Sequence, residues 1–160
     1  MEHQTNNAVH DHVTSTGKVV VPAVLKDDVE QFHYAPARRA GDFVFLSGVV
    51  ASNGLSAPMD AEGFRHELRR AFILMEQLLH ACQARMDDVV ELQMFHVFGS
   101  DRLILDKAGQ LAAIAAVRDE FFPAPYPACV ELAVADLNPE GGLVEIKATA
   151  FAPLSLRAGI

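Results

Sequence analysis

The chain is poor in positive charge. Thirteen lysines and arginines stand against 21 aspartates and glutamates, a formal net charge of −8. It therefore has no global basic field to draw in nucleic acid or an anionic membrane surface. Cysteine is scarce too: Cys82 and Cys129 fall in a helical and a strand pattern with no spacing motif between them, which fits two reduced thiols in a cytosolic protein and not a disulfide frame. No run of about 18 apolar residues occurs, so no membrane-spanning helix is expected. The opening MEHQTNNAVHDH lacks the charged and apolar parts of a secretion signal, and a soluble, cytoplasmic protein is expected. His3, His10 and His12 lie in that polar stretch and read as part of a flexible tail, so no metal site and no cofactor is expected.

What remains is enough chain for one core. At 160 residues the length fits a single domain. It is placed at residues 18–152, with a flexible tail at 1–17 and a short tail at 153–160. GKVVVP, from Gly17 to Pro22, reads as an edge strand, followed by VLKDDVEQ as a loop. From Asp42 to Val50 apolar residues alternate after the turn at Gly41, which predicts a strand. Ser47 and Gly48 lie near its end, and a residue with no β-carbon there lets another group approach closely. From Asp60 to Ala84 the period becomes helical, with Phe64, Leu68, Phe72, Met75, Leu79 and Cys82 on one face and Asp60 as N-cap. At this spacing the stripe is a packing face, not a cofactor groove. Val89 to Phe98 is a strand apolar on both faces, with His96 read as a core or subunit-contact histidine. A second helix runs from Lys107 to Phe121, capped by Asp106 and stopped by Pro123.

The stretch FPAPYPACVELAVADLNPEGGLVEIKATA, from Phe122 to Ala150, holds two more strands. Ala128 to Val134 and Leu143 to Phe151 bracket a turn-rich segment with Asn138, Pro139, Gly141 and Gly142, and an antiparallel pair is the simplest reading. In the second strand Val144, Ile146, Ala148 and Ala150 share one face, and Glu145, Lys147, Thr149 and Phe151 the other. Glu145 thus sits mid-strand but off the apolar stripe. The expected architecture is α+β: a mixed sheet of about six strands with two helices on one face. Two helices leave the other sheet face uncovered, and self-association is the usual cover.

PACVEL, a turn, then VEIKATA resembles the signature of the Rid family, also known as YjgF/YER057c/UK114 and often labelled endoribonuclease L-PSP-like or translation inhibitor. HYAPARRAGDFVFLSGVVA upstream and MDDVVELQMFHVF between them are similar to the family's opening and central segments. The resemblance covers Tyr34 to Ala152. The spelling APYPA and the Phe-His pair resemble most the YjgH-like branch, which lacks the catalytic-type arginine. The resemblance implies a chorismate-mutase-like fold and a homotrimer with three intersubunit clefts.

In deaminating members a small imine or enamine is held by its carboxylate on an arginine and hydrolysed, with a glutamate activating water. By resemblance, Glu145 is that glutamate, while Tyr34, Ser47, Gly48 and Cys129 line the cleft. Tyr126 adds an aromatic wall. The arginine is missing: two residues before Cys129 the chain has Pro127, and a helix position usually held by asparagine carries Ala115. A guanidinium offers a carboxylate a bidentate fork, whereas proline offers no donor, and losing such an anchor forfeits about 2 to 3 kcal/mol of binding. Arg38 and Arg39, beside Tyr34, are the substitutes to examine. Without the resemblance, Glu145 and Lys147 would read as a surface pair. Three functions stand: an imine or enamine deaminase acting on a non-standard small substrate, a trimeric ligand-binding or protective protein without turnover, and, least supported by the charge, a ribonuclease.

Overall fold

The computed structural model describes residues 9–54 and 57–156. Eight strands form one mixed sheet: β1 (Val9–Thr14), β2 (Gly17–Pro22), β3 (Ala37–Ala40), β4 (Phe43–Leu46), β5 (Val49–Ala51), β6 (Val89–His96), β7 (Ala128–Ala133) and β8 (Val144–Phe151). Three α-helices accompany them: α1 (Lys26–Phe32), α2 (Ala61–Ala81) and α3 (Lys107–Phe121). The α+β class holds, with two more strands and one more helix than expected. The order is β1-β2-β3-β4-β8-β6-β7, and β5 also pairs with β8.

The helical stripe of α2 lies where its spacing puts it, with Phe64, Leu68, Phe72, Met75, Leu79 and Cys82 all buried. Asp60 and Asp106 cap α2 and α3 by accepting from Gly63 N at 2.8 Å and Gly109 N at 2.7 Å, each worth about 1 kcal/mol. Beneath the helices, Val144, Ile146, Ala148 and Ala150 of β8 are buried together with Leu92 and Met94 of β6. Each large side chain there contributes about 1.5 to 3 kcal/mol by leaving water. On the other side of the sheet, Phe43, Phe45 and Phe151 cluster at ring distances of 6.2 and 5.1 Å yet stay 43% exposed, and Val130 and Leu132 of β7 are exposed as well. The second face of β6 is likewise only half-buried at Glu91, Gln93 and Phe95. This face is therefore not covered by the described residues.

Several expectations are corrected. The last two strands are not neighbours: β7 runs parallel to β6, β8 runs antiparallel to it, and β6 lies between them. The connection from 134 to 143 is long enough to step over a strand, so it does not act as a hairpin turn. The tail expected at 1–17 is a strand from Val9 to Thr14, paired with β2 and pinned by Lys18 to Asp11 at 2.8 Å. Its backbone ladder forms without an apolar stripe, which is why the polar sequence conceals it; residues 1–8, with His3, lie outside the described part. VLKDDVEQ holds the short α1, with Asp27 and Asp28 in its first turn and a Lys26–Glu30 pair at 3.6 Å. The carboxyl-terminal stretch contains a 3₁₀ turn at Leu154–Leu156.

The strand expected from Asp42 to Val50 is interrupted at Ser47 and Gly48. Phe45 faces Thr149 of β8, and Val49 faces Ile146. One residue more therefore passes on the β4–β5 side than on β8. This is a β-bulge, of the kind that re-aims side chains beside sites.

Candidate functional site

The bulge makes room for Glu145. A β-carbon added at Gly48 would overlap the Oε1, Cδ and Cγ atoms of Glu145, so the carboxylate rests directly on the glycine α-carbon, and only glycine allows that approach. Glu145 is half-buried, flanked by Val50 on β5 and Phe95 on β6. No cation or hydrogen-bond donor meets its carboxylate among the described residues, and Lys147 is no ion-pair partner for it. The surface-pair reading is thereby set aside.

A cavity of about 620 Å³ opens over this carboxylate, lined by Tyr34, Ser47, Gly48 and Glu145 together with Asp28, Phe32, Val50, Asn138 and Pro139. Four of the six residues expected at the site meet here. Ser47 donates its hydroxyl to Ala35 O at 2.6 Å, and its amide to Pro36 O at 3.0 Å. It thereby fixes the chain just after Tyr34 and leaves its oxygen lone pairs free to accept. Tyr34 follows α1, whose end is turned by His33 in the left-handed conformation. Burial, and then the charge of Asp28, raise the Tyr34 pKa above its ordinary value. The phenol therefore remains a neutral hydrogen-bond donor.

Tyr126 and Cys129 are elsewhere. They line a second cavity of about 360 Å³ with Leu92, Arg118, Asp119, Phe122 and Pro127, along the outer edge formed by β7. Burial and Glu131 raise the Cys129 thiol pKa against the opposing influence of Arg118, so it is mostly a thiol at neutral pH and a poor nucleophile. Arg118 donates to Glu131 at 2.7 Å, and His96 Nε2 lies 3.3 Å from the other Glu131 oxygen. His96 is 1% exposed, and its ring stacks at 7° on Phe98. Its nitrogens make no aligned hydrogen bond among the described residues, and burial lowers its pKa, opposed by Glu131. His96 is therefore a neutral core residue and does not face the Glu145 cavity.

Neither arginine near Tyr34 enters that cavity. Arg39 is buried and donates to the carbonyls of Cys82, Gln83, Gly41 and Ala152 at 2.9 to 3.2 Å. It clamps the end of α2. Arg38 is exposed and reaches Thr16 Oγ1 at 3.1 Å. Cys82 is buried, with its thiol pushed up to about 11, chiefly by burial. His10 and His12 lie exposed on β1, and no cluster of three metal-type ligands occurs among the described residues. No helix there is long and apolar enough to cross a membrane. Asp28, Phe32 and Asn138 escape sequence reasoning because they come from a segment read as loop and from a long connection. The paired acids of KDDVEQ are a signal for Asp28 alone.

The model of the family described as Endoribonuclease L-PSP matches residues 26–152. A 2-iminobutanoate/2-iminopropanoate deaminase of Dermatophagoides farinae is 32% identical over 114 residues, covering 71% of this chain and 81% of the relative. The RutC family protein YjgH of Escherichia coli K12 is 31% identical over 109 residues, covering 68% and 76%. A solved structure of YjgH superposes with a TM-score of 0.62 at 30% identity, covering 78% of this chain and 88% of that one. These matches span most of the chain, and it belongs to the Endoribonuclease L-PSP family, the Rid or YjgF proteins.

Proposed function

We propose that the protein is an imine or enamine deaminase, a hydrolase that converts a small C=N compound and water into a carbonyl compound and ammonia. The observation that carries this reading is the Glu145 carboxylate seated on Gly48 in a cavity with Tyr34 and Ser47. In the forward step a water oxygen bonds to the imine carbon, the C=N π pair moves to nitrogen, and Glu145 takes the water proton. Glu145 then returns that proton to nitrogen. In the carbinolamine so formed, Glu145 takes the hydroxyl proton and passes it to nitrogen as the C–N bond breaks and the oxygen forms C=O, so ammonia leaves and the carboxylate is restored.

The cavity is completed between copies of the chain. Tyr126 and Cys129 line a separate cavity within one protomer, and the aromatic face around Phe45 is half-exposed. A homotrimer would cover that face and bring one copy's Tyr126–Cys129 edge against the next copy's Glu145 cavity. Pro127 lies where the family's carboxylate-gripping arginine is expected, so the substrate is not a standard 2-imino acid. The same proline favours a second reading, a trimeric ligand-binding or protective protein without turnover. No nucleic-acid partner is proposed, on the −8 charge.

Ammonia release from a panel of freshly generated imines, with and without a carboxylate, tests the first reading. Release from at least one carboxylate-free imine is expected. No release from any of them would leave the binding reading in its place, and release from 2-iminopropanoate at the rate of an arginine-bearing relative would refute the role given to Pro127.

A further inference from the structure

Among the described residues, two carboxylates and no cation line the Glu145 cavity. Asp28, from the short α1, lines it together with Glu145, and neither has an ion-pair partner among the described residues. Lys147, two residues along β8 on the same face, is not among the lining residues, and two arginines near the two half-sites are engaged elsewhere. Arg70 lines the adjoining recess of about 230 Å³, but it donates to Glu67 at 2.7 Å and to Ser52 O at 3.3 Å. Arg118, at the other half-site, is held by Glu131 at 2.7 Å. Phe32 and Tyr34 supply the remaining walls, and aromatic faces attract cations through the negative potential over the ring. A carboxylate entering this cavity would meet two like charges, whereas a cation would meet two opposite charges and two aromatic side chains.

We infer that the cavity selects a positively charged substrate, an iminium ion without a carboxylate, and that Asp28 is a specificity-determining residue for it. This rests on the proposed role of Glu145 and deepens it. Protonation makes the imine carbon more electrophilic, and Glu145 accepts the proton of the attacking water; an iminium ion and water give a carbonyl compound and ammonium, so charge and atoms balance. Asp28 takes no proton. Its carboxylate lies at the exposed mouth of the cavity, where solvent weakens each interaction, so discrimination on the order of tenfold is expected.

Calorimetric or NMR titration of the full-length protein at neutral pH and fixed ionic strength, with isobutylammonium, isobutyramide and isobutyrate, separates charge from shape. Isobutylammonium is expected to bind about tenfold or more tightly than the amide, and isobutyrate more weakly than both. Asp28→Asn should lower the ammonium affinity about tenfold while leaving the amide affinity unchanged. Isobutyrate binding best, an unchanged ammonium affinity in Asp28→Asn, or no saturable ammonium binding would each overturn the inference. The two readings fail separately. Ammonium binding without ammonia release defeats the hydrolase and keeps the cation site, and turnover confined to carboxylate-bearing imines does the reverse.

Discussion

Gly48 and Glu145 form a unit in which the glycine's missing side chain is the space the carboxylate occupies. Gly48→Ala therefore forces the Glu145 side chain out of its place from Cγ outward. A folded protein is expected whose turnover falls by about 100-fold, the scale of a misplaced acid–base group; activity within a fewfold of wild type in steady-state assays would show that the close approach does not matter. His96 gives a second test at this scale. Burial holds its folded pKa below the ordinary 6.5, against the pull of Glu131 and with a smaller push from Lys107. The unfolded chain thus takes up this proton first as pH falls. The stability contribution is complete above about pH 6.5 and is lost as pH falls toward the folded pKa. His96→Leu is expected to flatten thermal stability between neutral and mildly acid pH relative to wild type, and parallel profiles would contradict it.

Among elements, the end of α2 depends on a residue that sequence reasoning placed near the cleft. Arg39 fills the orphan carbonyls after the last turn of that helix with a cation, where the helix dipole favours one. Arg39→Met keeps the stem and removes the donors, leaving buried carbonyls unpaired. A loss of about 3 kcal/mol or more in chemical denaturation is expected, with little change in the affinity of any cleft ligand. A ligand affinity that collapsed while stability held would return Arg39 to the site. Elements with strong periodicity were legible: the six-residue stripe of α2, the caps at Asp60 and Asp106, and the alternation along β8 all stand as read. What was hidden has physical reasons. β1 is held by backbone bonds and exposes Val13, so it has no apolar signature. The short α1 is too brief to display a stripe. The placement of β6 between β7 and β8 depends on which strands compete for the centre of the sheet, a long-range choice no local pattern encodes. The split of the site into two cavities escaped for the same reason, since Tyr126 and Cys129 lie next to Glu145 in the sequence stretch but across β6 in the sheet.

For the whole molecule, the open sheet face and the divided site have one proposed resolution, association of three copies. Phe43, Phe45 and Phe151 form a contiguous aromatic patch, and such patches mark interfaces. Light scattering at micromolar concentration should return three times the 17.4 kDa chain mass. Phe45→Asp should shift the population toward monomer; a wild-type monomer would remove the intersubunit cleft. The most direct test combines assembly and chemistry in one assay, ammonia release per trimer from a carboxylate-free imine by wild type and Glu145→Gln. Glutamine keeps the size and hydrogen-bonding capacity of the side chain but cannot take a proton from water. A well-folded trimer whose rate falls about 100-fold or more is predicted, whereas a Gln variant as fast as wild type would contradict the role of this carboxylate.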